Sequence, residues 1–244
     1  MKNSYHQKTV AQIVRADYRT ADVFKRHGIN YCCGGAVPFS EVCLQKGLAA
    51  AEIEEELSLV ARKVTLPNCL EFNSWKIDFL IDYIINVHHA YARLTLPSLR
   101  AGLSGFALGH KKQYPYLESV LSVFEKLASL LSASDKHEED ILFPYIKQIE
   151  TAHRRRESYG SLFVKTLRKP LGGIQDENTK IGDLLLELRS LTAQYSYPEN
   201  ACTNHRVVFQ KLEELDNDLV QHKHLENNIL FPRAIEMETE LLQL

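Results

Sequence analysis

Long apolar runs are missing from this chain, and with them any segment able to span a bilayer. None of its 244 residues falls in an uninterrupted apolar stretch near the roughly 18 that a crossing helix needs. The opening residues, Met1-Lys2-Asn3-Ser4-Tyr5-His6, also lack the apolar centre of a signal peptide, so the expectation is a cytoplasmic protein with no membrane partner. Charge of one sign is lacking too. Lys and Arg number 29 against 31 Asp and Glu, a formal net charge of −2, which gives no electrostatic reason to expect nucleic acid. The one basic run, His153-Arg154-Arg155-Arg156, is short and reads as a solvated loop. Cysteine is sparse: five in all, an odd number without a secretion signal, which argues for reduced thiols over a disulfide framework. No second cysteine pair follows Cys32-Cys33 at zinc-ribbon spacing. Strand signals are nearly absent, with little alternation and no Asn-Gly hairpin. The Gly-x-Ser-x-Gly elbow, the phosphate loop and the His-Glu-x-x-His pattern of hydrolases are missing as well.

What is present is helical periodicity. Val10, Ile13, Val14, Ala21, Val23 and Phe24 recur at helical intervals, followed by a turn at Gly28-Ile29-Asn30 and the segment Tyr31-Cys32-Cys33-Gly34-Gly35. A second helical pair covers Phe39 to Leu48 and Ala49 to Val64, and Thr65-Leu66-Pro67-Asn68 reads as a linker. These features divide the chain into a small helical domain, residues 1–66, and a larger one, residues 67–244. The larger domain shows four long helical patterns, near 75–100, 115–150, 170–196 and 201–240, with breaks at Gly102–Pro115, 151–169 and Tyr195–Asn200. The fold class that follows is all-α, a four-helix bundle preceded by a small helical N-terminal domain. An internal echo supports it: Glu138-Glu139-Asp140-Ile141-Leu142-Phe143-Pro144 resembles Glu226-Asn227-Asn228-Ile229-Leu230-Phe231-Pro232, each late in its helix.

The apolar stripes of the four helices carry polar residues where a core is expected. The first runs Ile81, Ile85, His89, Ala92, Leu96, and the second Leu131, Ser134, Glu138, Ile141, Tyr145. The third runs Leu171, Ile174, Asn178, Ile181, Leu185, and the fourth Leu215, Leu219, His222, Glu226, Ile229. Burying a carboxylate or imidazole without a partner costs several kcal/mol, so such groups are paired or bound to metal. No lysine or arginine interrupts these stripes between the polar positions, which favours metal over a salt bridge. His222 and Glu226 stand one turn apart on one face, an imidazole with a carboxylate, a pairing that suits iron, manganese or zinc. His89 alone reads more readily as a hydrogen-bonded core histidine, and Glu138 is followed by a second glutamate that makes its register ambiguous. His110 reads as a loop residue that no spacing rule selects.

Taken together, the sequence resembles the Repair of Iron Centers family, di-iron proteins linked to recovery of iron–sulfur clusters after nitrosative or oxidative stress. The marks are Tyr31-Cys32-Cys33-Gly34-Gly35, His88-His89 before Leu96-Pro97, Glu138 to Pro144, Ala201-Cys202-Thr203, and His222 to Pro232. The resemblance implies a haemerythrin-like bundle whose metal ligands are His89, His110, Glu138, His222 and Glu226, with the two glutamates as bridges. It implies iron as cofactor and nitric oxide as one stress agent. It also implies Cys32 and Cys33 as a thiol site that accepts, delivers or shields metal, and damaged iron–sulfur proteins as partners. Two positions depart from the family pattern: Ser134 and Asn178 stand where it has histidines. One ion, two ions and a metal-free relic all remain open on that ground. Rival readings are a module that senses oxygen, nitric oxide or metal, and a haemerythrin-like interaction protein without metal. The oligomeric state is open, with a homodimer packed through the small domain as one arrangement.

Overall fold

The computed structural model describes residues 5–32, 35–61, 70–156 and 174–243, with the side chains of 174–177 excepted. Cys33, the linker at Thr65–Asn68, and Leu171 of the third stripe lie outside the described residues, and so do the side chains of Ile174 and Glu177. The chain divides into two compact units, one of Met1–Asn68 with Tyr195–Glu213 and one of Cys69–Gln194 with Glu214–Leu244. Among the described residues all regular structure is helical, apart from an isolated bridge between Thr9 and Pro38.

The first unit is built from α1 (Val10–Ala16), α2 (Thr20–Arg26), α3 (Phe39–Lys46) and α4 (Ala50–Val60). α1 starts where Thr9 and Gln12 cap each other: Gln12 N–H donates to Thr9 Oγ1 at 3.1 Å and Thr9 N–H to Gln12 Oε1 at 2.9 Å. Two further donors of its first turn are satisfied by the segment after the cysteines, Val10 N–H by the Val37 carbonyl and Ala11 N–H by the Gly35 carbonyl at 2.8 Å. Gly35 admits no side chain, because a Cβ there would meet the Tyr31 carbonyl oxygen at 2.2 Å. Gly35 therefore lies against Tyr31 and ties its own segment to the start of α1. The core of this unit gathers Ile13, Val14, Phe24, Phe39, Ile53 and Leu57, with Val207 from the later segment. The Phe24 and Phe39 rings meet edge-on at 6.1 Å.

The second unit holds long rods with interruptions. α5 (Ile77–Tyr83) runs through a π-helical segment, Ile84–His89, into α6 (Ala90–His110). α7 (Leu117–His137) passes through a second, Glu138–Leu142, into α8 (Phe143–Arg155). After α9 (Ile174–Leu191), α10 (Thr203–Leu225) passes through a third, Glu226–Leu230, into α11 (Phe231–Gln243). The echoed heptapeptides explain the second and third. Pro144 and Pro232 have no N–H, and their rings clash with the carbonyl four residues back, which the wider turn relieves. In both copies the phenylalanine before the proline donates instead to the glutamate five residues earlier, Phe143 N–H to Glu138 and Phe231 N–H to Glu226.

The expected break at Gly102 does not occur. α6 continues to His110 because Leu99, Leu103, Phe106 and Ala107 form a buried stripe, and their burial outweighs about 1 kcal/mol per helical glycine. His110 is thus a helix-terminal residue and not a loop residue. α9 packs along α7, α6 along α7 and α8 along α11. The Arg189 guanidinium holds the buried Asp216 carboxylate through two contacts of 2.6 Å, joining α9 to α10.

Candidate metal centre

The three π-helical segments converge on one place. His89 ends the first, Glu138 opens the second and Glu226 opens the third, while His222 sits one turn before Glu226 on α10. π-Helical turns widen the local spacing and reorient side chains, which is why they recur at functional sites. All four of these side chains are buried. His89 Nε2 lies 3.1 Å from His222 Nε2, 3.3 Å from Glu138 Oε2 and 3.8 Å from Glu226 Oε1. His222 Nε2 lies 2.7 Å from Glu226 Oε1.

Asp135, one turn before Glu138, joins them. Its Oδ1 is 3.8 Å from His89 Nε2, and the ligand atoms of His89, Asp135, Glu138 and His222 all lie within 4.8 Å of one another. Asp135 Oδ1 and Glu138 Oε2 are buried without a hydrogen-bond partner. Two orphaned anionic oxygens facing two imidazole nitrogens are costly as a purely protein cluster and natural around a cation. The donor set of two nitrogens and up to three carboxylate oxygens fits one divalent transition-metal ion.

The surroundings fix the imidazoles. His89 Nδ1 is 2.7 Å from Glu139 Oε1, which Arg93 Nη1 also approaches at 2.5 Å. The outer nitrogen is thereby held as the donor, and Nε2 is turned toward the shared centre. His88, the neighbour that helical spacing points away, is buried as well: its Nδ1 is 2.9 Å from Asp218 Oδ1 and its ring stacks on His222 at 5.3 Å.

The expectation that no basic residue enters the stripes does not hold. Lys223 turns inward beside His222, its Nζ 2.7 Å from Glu226 Oε2 and 3.1 Å from Glu138 Oε1. Its flexible stem crosses the face boundary that fixed helical angles suggest. Ser134 is buried as the stripe predicts, and its hydroxyl donates to the same Glu138 Oε1 at 3.1 Å. Asn178 is only partly buried and donates its amide to Asn227 Oδ1 at 2.6 Å.

Of the five ligands named by resemblance, His89, Glu138, His222 and Glu226 are brought together. His110 is placed elsewhere. It closes α6 with Nδ1 3.2 Å from the Phe106 carbonyl and its ring against Phe106. It follows His89 by 21 residues on the same rod, about 30 Å at the helical rise. Spacing alone could have nominated Asp135, since it precedes the core Glu138 by three residues.

The comparisons with known proteins fit this geometry. Residues 80–234 match the model for the Hemerythrin HHE cation binding domain, and residues 6–61 match the ScdA N-terminal model, described as a domain of unknown function (DUF542). The chain belongs to the Repair of Iron Centers family, with a hemerythrin HHE domain. Relatives of this family include the iron–sulfur cluster repair protein YtfE of Escherichia coli O157:H7, 28% identical over 96% of this chain and all of the relative. The protein of that name from Escherichia fergusonii matches with the same identity and coverage. No described helix is long and apolar enough to cross a membrane.

Within this hemerythrin domain the charges are strongly coupled. Burial pulls His89 down, but the facing carboxylates of Glu138, Glu226 and Asp135 outweigh it and hold the imidazole at about 10. Burial pushes Asp135 up to about 6. Burial works against the charge of Lys223, yet Glu226 and Glu138 raise it above the usual lysine range. In chelator-stripped protein His89 links stability to pH. The folded value of His89 lies above its unfolded value of about 6.5, so its contribution is complete below that pH and is lost as pH rises through about 10. Urea unfolding of stripped protein at pH 6 and pH 10 is expected to show a loss on the order of 2–4 kcal/mol at the higher pH. Equal stability at the two would show that His89 is not held as an imidazolium.

Proposed function

We propose that this protein binds iron at the His89, His222, Asp135, Glu138 and Glu226 cluster and acts in the recovery of damaged iron–sulfur clusters. The observation that carries the metal reading is the meeting of two imidazole nitrogens with two buried, unpartnered carboxylate oxygens. The likeness to the iron–sulfur cluster repair protein YtfE over nearly the whole chain supports the repair reading. Bound there, iron would supply an exchangeable, redox-active ion in a water-poor interior. The chain's part is to hold that ion by a donor set altered from the family pattern at Ser134 and Asn178. Imidazoles must be neutral to bind a metal, so uptake releases protons and strengthens as pH rises. Damaged iron–sulfur proteins are the partners this reading requires.

The small unit would supply the thiol. Cys32 is half-buried, with its N–H held by Asn30 Oδ1 at 2.9 Å. Cys32→Ala is expected to reduce restoration of an oxidant-damaged [4Fe–4S] enzyme at least about tenfold while leaving the iron content of the purified protein unchanged. Restoration at the wild-type rate would remove the thiol from the mechanism. Restoration absent from the wild-type protein with iron bound would favour storage or sensing over repair.

A further inference from the structure

The two core glutamates each divide their oxygens between two kinds of cation. Glu226 turns Oε1 to His222 Nε2 at 2.7 Å and Oε2 to Lys223 Nζ at 2.7 Å. Glu138 turns Oε2 toward His89 Nε2 at 3.3 Å and Oε1 to Lys223 Nζ at 3.1 Å. Both carboxylates therefore bridge from the imidazole side of the cluster to one ammonium on the other side. We propose that the Lys223 ammonium is a permanent, covalently tethered second cation of this centre, so that the centre holds one divalent metal ion, on the side of His89, His222 and Asp135. The inference rests on the metal reading above and deepens it.

Three observations support it independently of one another. Among the described residues no imidazole meets the ammonium: Ser134 shares Glu138 Oε1 with it through a hydroxyl, and the Asn178 amide is engaged by Asn227. A hydroxyl and an amide are weak ligands for a transition metal. Among the described residues the charges balance for one ion. Asp135, Glu138 and Glu226 against one ammonium leave two negative charges, which one divalent ion neutralises. A second ion would sit beside a buried ammonium and face a like charge at close range. Finally, the echoed segments place Asp135 and Lys223 at equivalent positions, each three residues before its glutamate. One copy contributes an oxygen donor to the ion and the other contributes the cation that takes an ion's place.

The experiment is metal stoichiometry on the full chain, by elemental analysis after anaerobic loading with ferrous iron and by calorimetric titration with cobalt(II). The wild type is expected to bind one ion per chain. Ser134→His with Asn178→His, retaining Lys223, is expected to stay at one. Adding Lys223→Ala to that pair is expected to raise it to two. Two ions in the wild type, two in the double variant, or one in the triple variant would each overturn the proposal while leaving the metal reading standing. No ion in the wild type would overturn both. A measurement on the wild type alone guards against variants that misfold. The oxidised iron protein should show the paramagnetic signal of an isolated high-spin ferric ion, and the silence of a coupled pair would overturn the proposal.

Discussion

Replacing His222 with alanine is expected to strip the protein of iron: at least roughly a 100-fold loss of affinity, since outer-sphere partners alone are worth 10–100-fold. The imidazole is fully buried, and its Nε2 touches both Glu226 Oε1 and His89 Nε2. Its removal takes away one of the two nitrogen donors without disturbing the Lys223 contact that satisfies Glu226 Oε2. The helical content should therefore persist, with the cavity left by the ring costing stability. Elemental analysis after dialysis against a weak chelator reads the loss, and circular dichroism reads the fold. His110→Ala is the control, because that ring packs on Phe106 about 30 Å along the rod; it should keep its iron. Iron retained in His222→Ala and lost in His110→Ala would place the metal elsewhere.

The second large effect falls on the small unit. Phe24 is completely buried, and its ring meets Phe39 edge-on. Phe24→Ala is expected to cost about 3–5 kcal/mol, most of what a domain of this size holds in reserve. The readout is Cys43, 1% exposed in the same core, whose thiol burial pushes upward and keeps unreactive. In the variant it should be labelled by an aromatic disulfide reagent at least tenfold faster, as mapped on its own peptide, while the iron content stays at the wild-type level. Unchanged protection of Cys43 would mean that this core does not depend on the phenylalanine pair.

Much of this architecture was legible in the sequence, and each failure has its own physical cause. Three- and four-residue spacing marked the bundle helices and placed His89, Glu138, His222 and Glu226 inward. The same spacing also extended each stripe through the π-helical segments as if they were α-helix. It expected Ile141 in the core, whereas Ile141 is 50% exposed and Leu142 is fully buried. One wider turn advances the buried face by a residue, and nothing in a fixed angular step anticipates it. Lys223 escaped for a different reason: a long side chain is not bound to the face its Cα occupies. His110 was nominated by resemblance alone, and the continuous rod of α6 shows why no spacing rule had selected it.

The repeated segments invite one more consequence. Two copies of a helix–π–helix unit, each with a glutamate at its widened turn, would by themselves make a centre with two-fold symmetry and two equal positions for an ion. Here the symmetry is broken at both residues facing the glutamates: serine and aspartate in one copy, histidine and lysine in the other. The centre has a direction. Positions 134 and 222, or 135 and 223, are equivalent in the chain and unlike in chemistry, so each half of the duplicated motif has become specialised for a task that the other half no longer performs.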